Sequence, residues 1–249
     1  MATKLILTCE HATNHIPKEY EYYFKPERKI KGQWIGKIAI KDLLEDHWGW
    51  DPGAFEMAKR MQKKLNAKFF DFKVSRLLID ANHSDWNENL FSEISSNFDE
   101  EAKQKLLNKY YYPYLNSIEK YMLDEVKKGN KVLHVDVHAF TPVYNGIVRK
   151  VDIGLLIQDD KKERELGEKI KKVLESSIRG IRVRFNQPYL GEGDCIPTAF
   201  KYQFSRSNYL GIAIEVNNKF FRKNKKKFNK ICNSLIKAIE GILKDKKDL

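Results

Sequence analysis

Close to the N-terminus lies the stretch Lys4-Leu-Ile-Leu-Thr-Cys-Glu-His-Ala-Thr-Asn-His-Ile-Pro17, in which a short apolar run is followed by a polar cluster. The run Leu5–Leu7 predicts a buried β-strand, and Pro17 ends regular pairing. Glu10 and His11 stand directly after that strand. Because α/β enzymes place their chemistry at the ends of buried strands, this stretch predicts both a sheet-based fold and a functional site.

Apolar runs alternate with segments of helical periodicity along the rest of the chain. Strands are predicted at Lys4–Cys9, Lys68–Phe72, Arg76–Ile79, Lys131–Val137, Asp152–Ile157, Ile181–Phe185 and Tyr209–Val216. Helices are predicted at Gly53–Leu65, Glu100–Lys127, Lys161–Ser177 and Lys223–Lys244. This alternation predicts an α/β layered fold with a mostly parallel sheet. No repeat or linker divides the sequence, so we expect a single domain over residues 1–249.

Composition places the chain among folded globular proteins. It has 249 residues, of which 42% are hydrophobic and 12% aromatic, enough for a large core. No apolar run approaches the roughly 20 residues that span a bilayer, and the N-terminus lacks the long apolar region of a signal peptide. The three cysteines are far apart and form no Cys-x-x-Cys pair. We therefore expect a cytoplasmic protein without membrane association or a disulfide framework.

The net charge of +12 raises the question of a polyanionic partner. Basic residues are densest at Lys219–Lys227 and Lys244–Lys247, in or beside helical stretches. Nucleic-acid binding would require basic and aromatic residues interleaved on one surface, or a known binding motif, and the sequence has neither. We expect a solvated helix face and no nucleic-acid partner, with a positive field that attracts small anionic substrates.

A second polar cluster accompanies the predicted strand Arg76–Ile79. Asp80, Asn82 and His83 stand at its end, and Arg76 at its start. On a regular strand Arg76 and Asp80 share a face. The planar guanidinium could bind a substrate carboxylate, or it could simply pair with Asp80. The sequence leaves both alternatives open.

Two later strands carry ionisable groups among apolar residues. His134, Asp136 and His138 alternate with apolar positions, which places all three on one side of a strand. Burying such a row is costly unless it is paired or binds a metal. Glu215 lies inside the run Tyr209–Val216, where burial would raise its pKa toward the range of a general base. A paired structural carboxylate is the alternative for Glu215.

Together these groups are typical of a zinc hydrolase with an open coordination position. Zinc would polarise an amide carbonyl, a carboxylate would carry a proton from water to the leaving amine, and an arginine would hold an anionic substrate. No Gly-x-Ser-x-Gly elbow, P-loop or glycine-rich dinucleotide fingerprint indicates another chemistry. The residues therefore favour a metal-dependent hydrolase.

Eight short motifs, in order from residue 5 to about 221, resemble the N-formylglutamate amidohydrolase family. They are Cys-Glu-His-Ala-x-Asn-His-Ile-Pro at 9–17, Trp-Asp-x-Gly-Ala at 50–54, Ser-Arg-Leu-Leu-Ile-Asp-x-Asn at 75–82, Leu-Phe-Ser-Glu at 90–93, Val-His-Ala-Phe-Thr-Pro at 137–142, Asp-Ile-Gly-Leu-Leu at 152–156, Asn-x-Pro-Tyr at 186–189 and Glu-Val-Asn at 215–217. Each motif is weak alone, but their order over nearly the whole chain makes the resemblance specific.

The resemblance implies a fold like that of zinc carboxypeptidases and aspartoacylases, also described as phosphorylase/hydrolase-like. Such a fold has three layers, with a mixed, mostly parallel sheet flanked by helices. It implies one Zn²⁺ ion held by His11 and His138, with Glu215 as the general base. Asn82 and its neighbour match an Asn-Arg pair that holds a substrate carboxylate. The implied reaction is cleavage of N-formylglutamate to glutamate and formate, a step of histidine degradation.

One departure from the pattern concerns the acidic metal ligand. Zinc peptidases carry a glutamate three residues after the first histidine, where this chain has Asn14. We expect Asp51 to supply the ligand, although N-capping of the following helix is an alternative role for it. Further candidates near the site are Glu10, His15, His47 and Asp136.

A second departure concerns substrate binding. The family's usual Asp-Leu-Asn-Arg reads Asp80-Ala-Asn-His83 here. Since a histidine carries a positive charge less consistently than an arginine near neutral pH, we expect Arg76 and Arg149 to share the binding of a carboxylate. This departure bears on the identity of the substrate more than on the class of reaction.

We therefore expect a zinc-dependent hydrolase that cleaves the linear amide of a small anionic N-acyl amino acid. Two alternatives stay open. One is a carboxypeptidase-like peptidase or amidase that acts on a larger peptide, which a wide, open cleft would favour. The other is a basic binding protein on the same scaffold with a decayed site, which would not retain stoichiometric zinc.

Overall fold

A six-stranded sheet forms the centre of the computed structural model, which describes residues 2–24, 29–30, 33–34, 40–158, 160–205 and 207–245. The strands are β1 (Thr3–Cys9), β2 (Lys29–Ile30), β3 (Gln33–Trp34), β4 (Lys68–Asp71), β5 (Lys131–Phe140), β6 (Val143–Tyr144), β7 (Ile147–Val148), β8 (Ile153–Leu156), β9 (Val183–Phe185) and β10 (Tyr209–Asn217). The central sheet has the order β4-β1-β5-β10-β8-β9. Only β8 and β10 pair antiparallel within it. The predicted mixed, mostly parallel sheet is confirmed.

Helices cover both faces of this sheet. They are α1 (Ile40–Glu45), α2 (Ala54–Leu65), α3 (Glu100–Leu106), α4 (Tyr112–Lys127), α5 (Lys161–Ser177), α6 (Ile196–Gln203), α7 (Lys219–Lys223) and α8 (Lys225–Lys244). Apolar side chains of α2, α5 and α8 share one core with the sheet, and those of α4 and α6 share another. The result is the predicted three-layer arrangement.

Side chains of the central strands alternate between the two helical layers. In β1, Leu5 and Leu7 pack beside α2 and α8, whereas Ile6 packs beside α4. On the α4 face the strands change from apolar to polar toward their carboxyl ends. Ile6 is followed there by Thr8, and β5 carries His134, both fully buried. The fold therefore gathers buried polar groups at the carboxyl edge of the parallel strands.

The predicted strand Arg76–Ile79 is wrong, because these residues form turns. The Leu78 N–H donates to the Ser75 carbonyl at 2.9 Å instead of pairing with a neighbouring strand. The expected shared strand face of Arg76 and Asp80 therefore does not exist. The two side chains are still in contact, with Arg76 Nη2 2.6 Å from Asp80 Oδ2, because the turn brings these two residues close to each other.

The predicted helix Glu100–Lys127 is interrupted. Helix α3 ends at Leu106, and a π-helical segment, Leu107–Tyr111, separates it from α4. Pro113 lies just beyond this segment and has no N–H, so a regular α-helical ladder cannot continue across the junction. Asp99 caps α3, because its carboxylate accepts a hydrogen bond from the Ala102 N–H at 2.8 Å.

The helices of the described residues include none that combines the length and the apolar character needed to cross a bilayer.

Candidate active site

Three neighbouring strands place ionisable side chains at one edge of the sheet. His11 follows β1 by two residues, His138 lies near the end of β5, and Glu215 lies opposite His138 in the register of β10 with β5. The loop before α2 joins them, because the Asp51 N–H donates to the His11 carbonyl at 3.0 Å. Four residues that are far apart in the sequence thus share one small region.

His11, Asp51 and His138 form a buried group of three, which we call the metal group. Asp51 Oδ2 lies 3.3 Å from His11 Nδ1 and 3.0 Å from His138 Nδ1. All the candidate ligand atoms lie within 4.8 Å of one another. Ligands about 2.0–2.1 Å from a tetrahedral ion lie about 3.3 Å apart, so this spacing and the His₂-carboxylate donor set both fit a catalytic zinc.

A separate carboxylate holds the second nitrogen of each imidazole in the metal group. His11 Nε2 lies 2.7 Å from Asp80 Oδ1, and His138 Nε2 lies 2.9 Å from Asp136 Oδ2. Such carboxylates fix the ring orientation of metal-binding histidines and increase their basicity. Asp51 itself is fixed by the Ala139 N–H, which donates to Oδ2 at 3.1 Å. Its carboxylate does not cap α2, because the N-cap residue is Gly53.

Charges within the metal group reinforce one another. Burial lowers the pKa of His138, but Asp136, Asp51 and Glu10 outweigh burial and raise it well above the usual value. Burial and Arg76 likewise lower the pKa of His11, but the neighbouring carboxylates of Asp80 and Asp51 outweigh both, so the pKa lies above its usual value. Burial raises the pKa of Asp51, yet the two histidines bring it below its usual range. The group therefore holds an ionised carboxylate between two basic imidazoles.

Glu215 faces the same region without a hydrogen-bond partner for its Oε2 among the described residues. The side chain is 6% exposed, and burial raises its pKa to about 7. A carboxyl group that changes protonation near neutral pH can both take and give a proton. Gly154, its partner in β8, has no side chain to crowd it.

Arg76 lies beside the metal group. Its Nε and Nη2 donate to Asp80 Oδ2 at 3.0 and 2.6 Å, which confirms the ion pair considered from the sequence. Its Nη1 lies 3.4 Å from His11 Nδ1 and 3.8 Å from Asp51 Oδ1. The guanidinium is thus fixed on one side by Asp80 and directed on the other toward the place where substrate would meet the metal group.

A cavity of about 1200 Å³ opens over these residues. Its wall includes the predicted site residues His11, His47, Asp51, Arg76, Asn82, His83, His138 and Glu215. Trp48, Phe91, Tyr144 and Tyr189 add aromatic surface. A concave site with an aromatic wall and converging polar groups is the usual form of a small-molecule site.

The predicted substrate-binding residues occupy different parts of this cavity. Asn82 accepts a hydrogen bond from the Ile196 N–H at 3.3 Å. His83 Nδ1 lies 3.8 Å from Asp194 Oδ2, so its nearest charged neighbour is an acid. Arg149 lies behind the wall, with its guanidinium 4.7 Å from the Tyr144 ring centroid and its Nη1 donating to the Tyr189 hydroxyl.

The further candidates are spread around the site. Glu10 is wholly buried behind the metal group and accepts a hydrogen bond from the Tyr114 hydroxyl at 2.6 Å. His47 lines the cavity, with its ring centroid 4.8 Å from that of Trp48. Asn14 and His15 are not among the described residues that line the cavity. The sequence position where zinc peptidases carry their glutamate therefore lies outside it.

Sequence reasoning did not identify two carboxylates that position site residues. Asp80 was assigned only to an ion pair with Arg76, yet its other oxygen also holds His11. Asp194 accepts a hydrogen bond from the Ser84 N–H at 2.9 Å and another from the Asn87 side-chain amide at 2.6 Å. The short motif Gly-Glu-Gly-Asp194 gave no signal, because only the tertiary fold brings it to the cavity.

Comparison with known proteins supports the assignment of a family. The model of the N-formylglutamate amidohydrolase family matches residues 3–222. The solved structure of gene product Atu2144 from Agrobacterium tumefaciens is 25% identical, with a TM-score of 0.76 over 96% of this chain and 91% of that one. The solved structure of N-formylglutamate amidohydrolase from Ralstonia eutropha JMP134 is 16% identical, with a TM-score of 0.67 over 97% of this chain and 93% of that one. The comparison with curated proteins gives no match.

The family match spans both of the segments that supply histidines to the metal group, as well as Asp51 and Glu215. It covers nearly all of the six-stranded sheet and ends just after β10. The chain therefore belongs to the N-formylglutamate amidohydrolase family.

Proposed function

We propose that this protein is a zinc-dependent amidohydrolase that cleaves the linear amide of an N-acyl amino acid, with N-formylglutamate as the foremost substrate. The observation that carries the proposal is the metal group at the floor of a cavity, beside Glu215, whose Oε2 has no hydrogen-bond partner among the described residues. His11, Asp51 and His138 would hold the ion. Zinc bound there would supply Lewis acidity toward the amide carbonyl and lower the pKa of a water molecule.

Glu215 is the proposed general base and acid. Its carboxylate accepts a proton from the attacking water and then donates it to the amide nitrogen as the C–N bond breaks. The products are a carboxylic acid and a free amine, formate and glutamate for the foremost substrate. A pKa of about 7 suits both transfers, because neither protonation state is strongly preferred near neutral pH.

Arg76 is proposed to bind negative charge on the substrate. Asp80 fixes the guanidinium from behind, so that it loses little side-chain entropy on contact with a carboxylate or a developing oxyanion. Asn82 and His83 on the facing wall complete the proposed recognition of a small anionic substrate. Arg149 supports this wall through Tyr144 and Tyr189, which is a smaller role than the one expected from the sequence.

The direct test is hydrolysis of a panel of N-acyl amino acids by zinc-loaded protein. We expect release of the free amino acid from N-formyl-L-glutamate, with Glu215→Gln lowering kcat by about 10²–10⁴-fold while zinc remains bound. Glu168→Gln, an exposed carboxylate of α5, is the matched control and should keep full activity. If no member of the panel is cleaved, the proposed activity is wrong. If Glu215→Gln keeps its turnover, Glu215 is not the base.

A second candidate function follows from the size of the cavity. Its volume of about 1200 Å³ is far more than a formylated amino acid fills, and it is lined by Trp48, Phe91 and Leu190 in addition to polar groups. This favours a peptidase or amidase that acts on a larger peptide. A rise in kcat/KM as residues are added to an N-acyl substrate would support this function over the first. A constant or falling kcat/KM would rule it out.

A further inference from the structure

His134 is a buried ionisable residue that the proposed reaction does not use. Both ring nitrogens have partners inside the protein: Nε2 lies 2.8 Å from the Thr8 hydroxyl and Nδ1 lies 2.7 Å from the Tyr209 hydroxyl. Thr8 donates in turn to Asp136 Oδ1 at 2.9 Å, and Asp136 Oδ2 lies 2.9 Å from His138 Nε2. We call Tyr209, His134, Thr8 and Asp136 the buried relay, because they connect β10, β5 and β1 to one imidazole of the metal group.

The direction of every hydrogen bond in the buried relay follows from one starting point. A carboxylate only accepts, so the Thr8 hydroxyl must donate its single proton to Asp136. The Thr8 oxygen can then only accept from His134, which requires a proton on Nε2. A neutral imidazole carries one N–H, so His134 Nδ1 must accept from the Tyr209 hydroxyl. Burial keeps His134 neutral, because it lowers its pKa to about 4.

The reversed arrangement would leave the 2.9 Å contact between the Thr8 hydroxyl and Asp136 Oδ1 without a proton. In it, the Thr8 hydroxyl would donate to His134 Nε2, and His134 Nδ1 would donate to the Tyr209 oxygen. The Tyr209 hydroxyl would then donate to the Pro197 carbonyl. The Tyr209 hydroxyl lies 3.4 Å from the Pro197 oxygen but 2.7 Å from His134 Nδ1. Asp136 Oδ1 would then lose its hydrogen bond from Thr8, and a buried carboxylate that lacks this donor would be less well fixed as the acceptor of His138.

We propose that Thr8, His134 and Tyr209 are positioning residues that fix Asp136 as an acceptor toward His138 Nε2, so that His138 presents Nδ1 to Asp51 and to the metal ion. Two of the contacts, Thr8 to Asp136 and Asp136 to His138, join atoms of wholly or almost wholly buried residues, so solvent cannot replace them. This proposal rests on the proposed function in one respect, namely that His138 is a metal ligand. It gives a role to a fully buried histidine of β5 that does not line the cavity.

The first test reads the proton on His134 directly, in metal-free protein. Long-range ¹H–¹⁵N correlation spectra distinguish the two neutral imidazole forms, and loss of the signal in His134→Gln assigns it. We expect the form protonated on Nε2 near neutral pH, and a mixture of forms in Tyr209→Phe, which lacks the donor to Nδ1. A His134 protonated on Nδ1 would overturn the proposal.

The second test uses substitutions of Thr8 and measures zinc affinity by calorimetry. Thr8→Val keeps the shape but removes the hydroxyl, and we expect a 10–100-fold loss of affinity, the usual effect of removing such an outer partner. Thr8→Ser keeps the hydroxyl and should restore affinity to within about threefold of the unsubstituted protein. Thr3→Val, the same change elsewhere on β1, should have no effect. A Thr8→Val protein that binds zinc as well as Thr3→Val would contradict the proposal.

These two readouts separate the relay from the activity. If the protein binds zinc and Thr8→Val weakens binding, but no N-acyl amino acid is cleaved, the relay stands and the proposed activity falls. If Thr8→Val fails to fold, as circular dichroism would show, the His134 spectrum of the unsubstituted protein alone decides the proposal.

Discussion

We propose that His83 influences the choice of substrate. It stands on the cavity wall with an acid, Asp194, as its nearest charged neighbour. Its imidazole therefore offers a dicarboxylate little net attraction. Arg76, already bonded to Asp80, is the arginine among the described residues that line the cavity. Recognition of glutamate should accordingly be limited by charge at this wall.

Replacing His83 with arginine should improve binding of N-formylglutamate. A charge-assisted hydrogen bond contributes about 1.5–3 kcal/mol, so we expect KM to fall about tenfold or more with little change in kcat. Steady-state kinetics of His83→Arg measures this, and His15→Arg adds the same charge at an exposed position away from the cavity. Equal kinetics for the two variants would show that the wall does not contact the substrate carboxylates.

The metal group shows what single residues reveal before a structure is known. The family resemblance of the short motifs points to His11 and His138, and Asp51 is the acid expected to replace the glutamate that is absent at Asn14. The sequence could not decide between Asp51 and its rivals. That choice depends on a loop 40 residues from His11, which the fold brings within 3.3 Å. The contact of Asp80 with His11 and the position of Asp194 could not be predicted for the same reason, since no local pattern reports a tertiary contact.

At the scale of elements, β8 must pass close to the segment before α6. A Cβ on Gly154 would overlap the main-chain oxygen of Gln187 and approach the Glu215 Cβ. We expect Gly154→Ala to destabilise the protein by about 1–3 kcal/mol, as overpacking does in other cores, and to reduce turnover by displacing Glu215. Denaturant unfolding and kinetics together check this.

Gly241→Ala provides the matched control for that substitution. A Cβ there meets no atom within 4 Å, and the residue lies inside α8, where alanine is favoured over glycine by about 0.5–1 kcal/mol. It should therefore leave stability unchanged or slightly raised. If Gly154→Ala behaves like this control, the close approach of the two segments is wrong.

Asp152 joins three elements through one buried carboxylate. It accepts hydrogen bonds from the Arg182 N–H and side chain, just before β9, and from Lys219 Nζ of α7 at 2.5 Å. Burial raises the pKa of Asp152, but these donors outweigh burial and lower it below the usual value. A depressed folded-state pKa stabilises the protein above the unfolded-state pKa, and that stabilisation disappears as the pH falls.

Asp152→Asn should therefore cost about 1–3 kcal/mol of unfolding free energy at neutral pH, and the difference from the unsubstituted protein should shrink below about pH 4. Denaturant unfolding at neutral and acidic pH measures both values. Asp124→Asn, which removes an exposed i,i+4 pair with Lys120, should leave the free energy of unfolding nearly unchanged at either pH. A pH-independent loss in Asp152→Asn would contradict the assigned charge.

Element boundaries were predictable where a periodic pattern was long and unbroken. Helix α5 has the predicted bounds Lys161–Ser177, because its apolar positions recur without interruption. The sequence Arg76–Ile79 looks equally apolar and β-rich, yet forms turns, because its N–H groups find partners locally. The break before α4 arises at a proline inside an otherwise helical pattern. Local sequence could suggest that break but not its π-helical form.

At the scale of the whole molecule, the net charge of the chain is positive, whereas acidic residues are frequent in the cavity wall. The chain carries a net charge of +12, while six acidic side chains of the described residues line the cavity. These are Asp51, Asp80, Glu88, Glu93, Asp194 and Glu215. The positive outer field can raise the encounter rate with an anion. In the proposed function, a bound metal ion would offset the acids around it and allow an anionic substrate to bind.

Zinc binding to chelator-treated protein tests the proposed metal site. Calorimetric titration should show one tightly bound ion per chain. Asp51→Asn should weaken the binding at least 100-fold, because Asp51 is the one carboxylate among the described residues that contacts both histidines of the metal group. No bound zinc in the unsubstituted protein, or equal affinity in Asp51→Asn, would contradict the account.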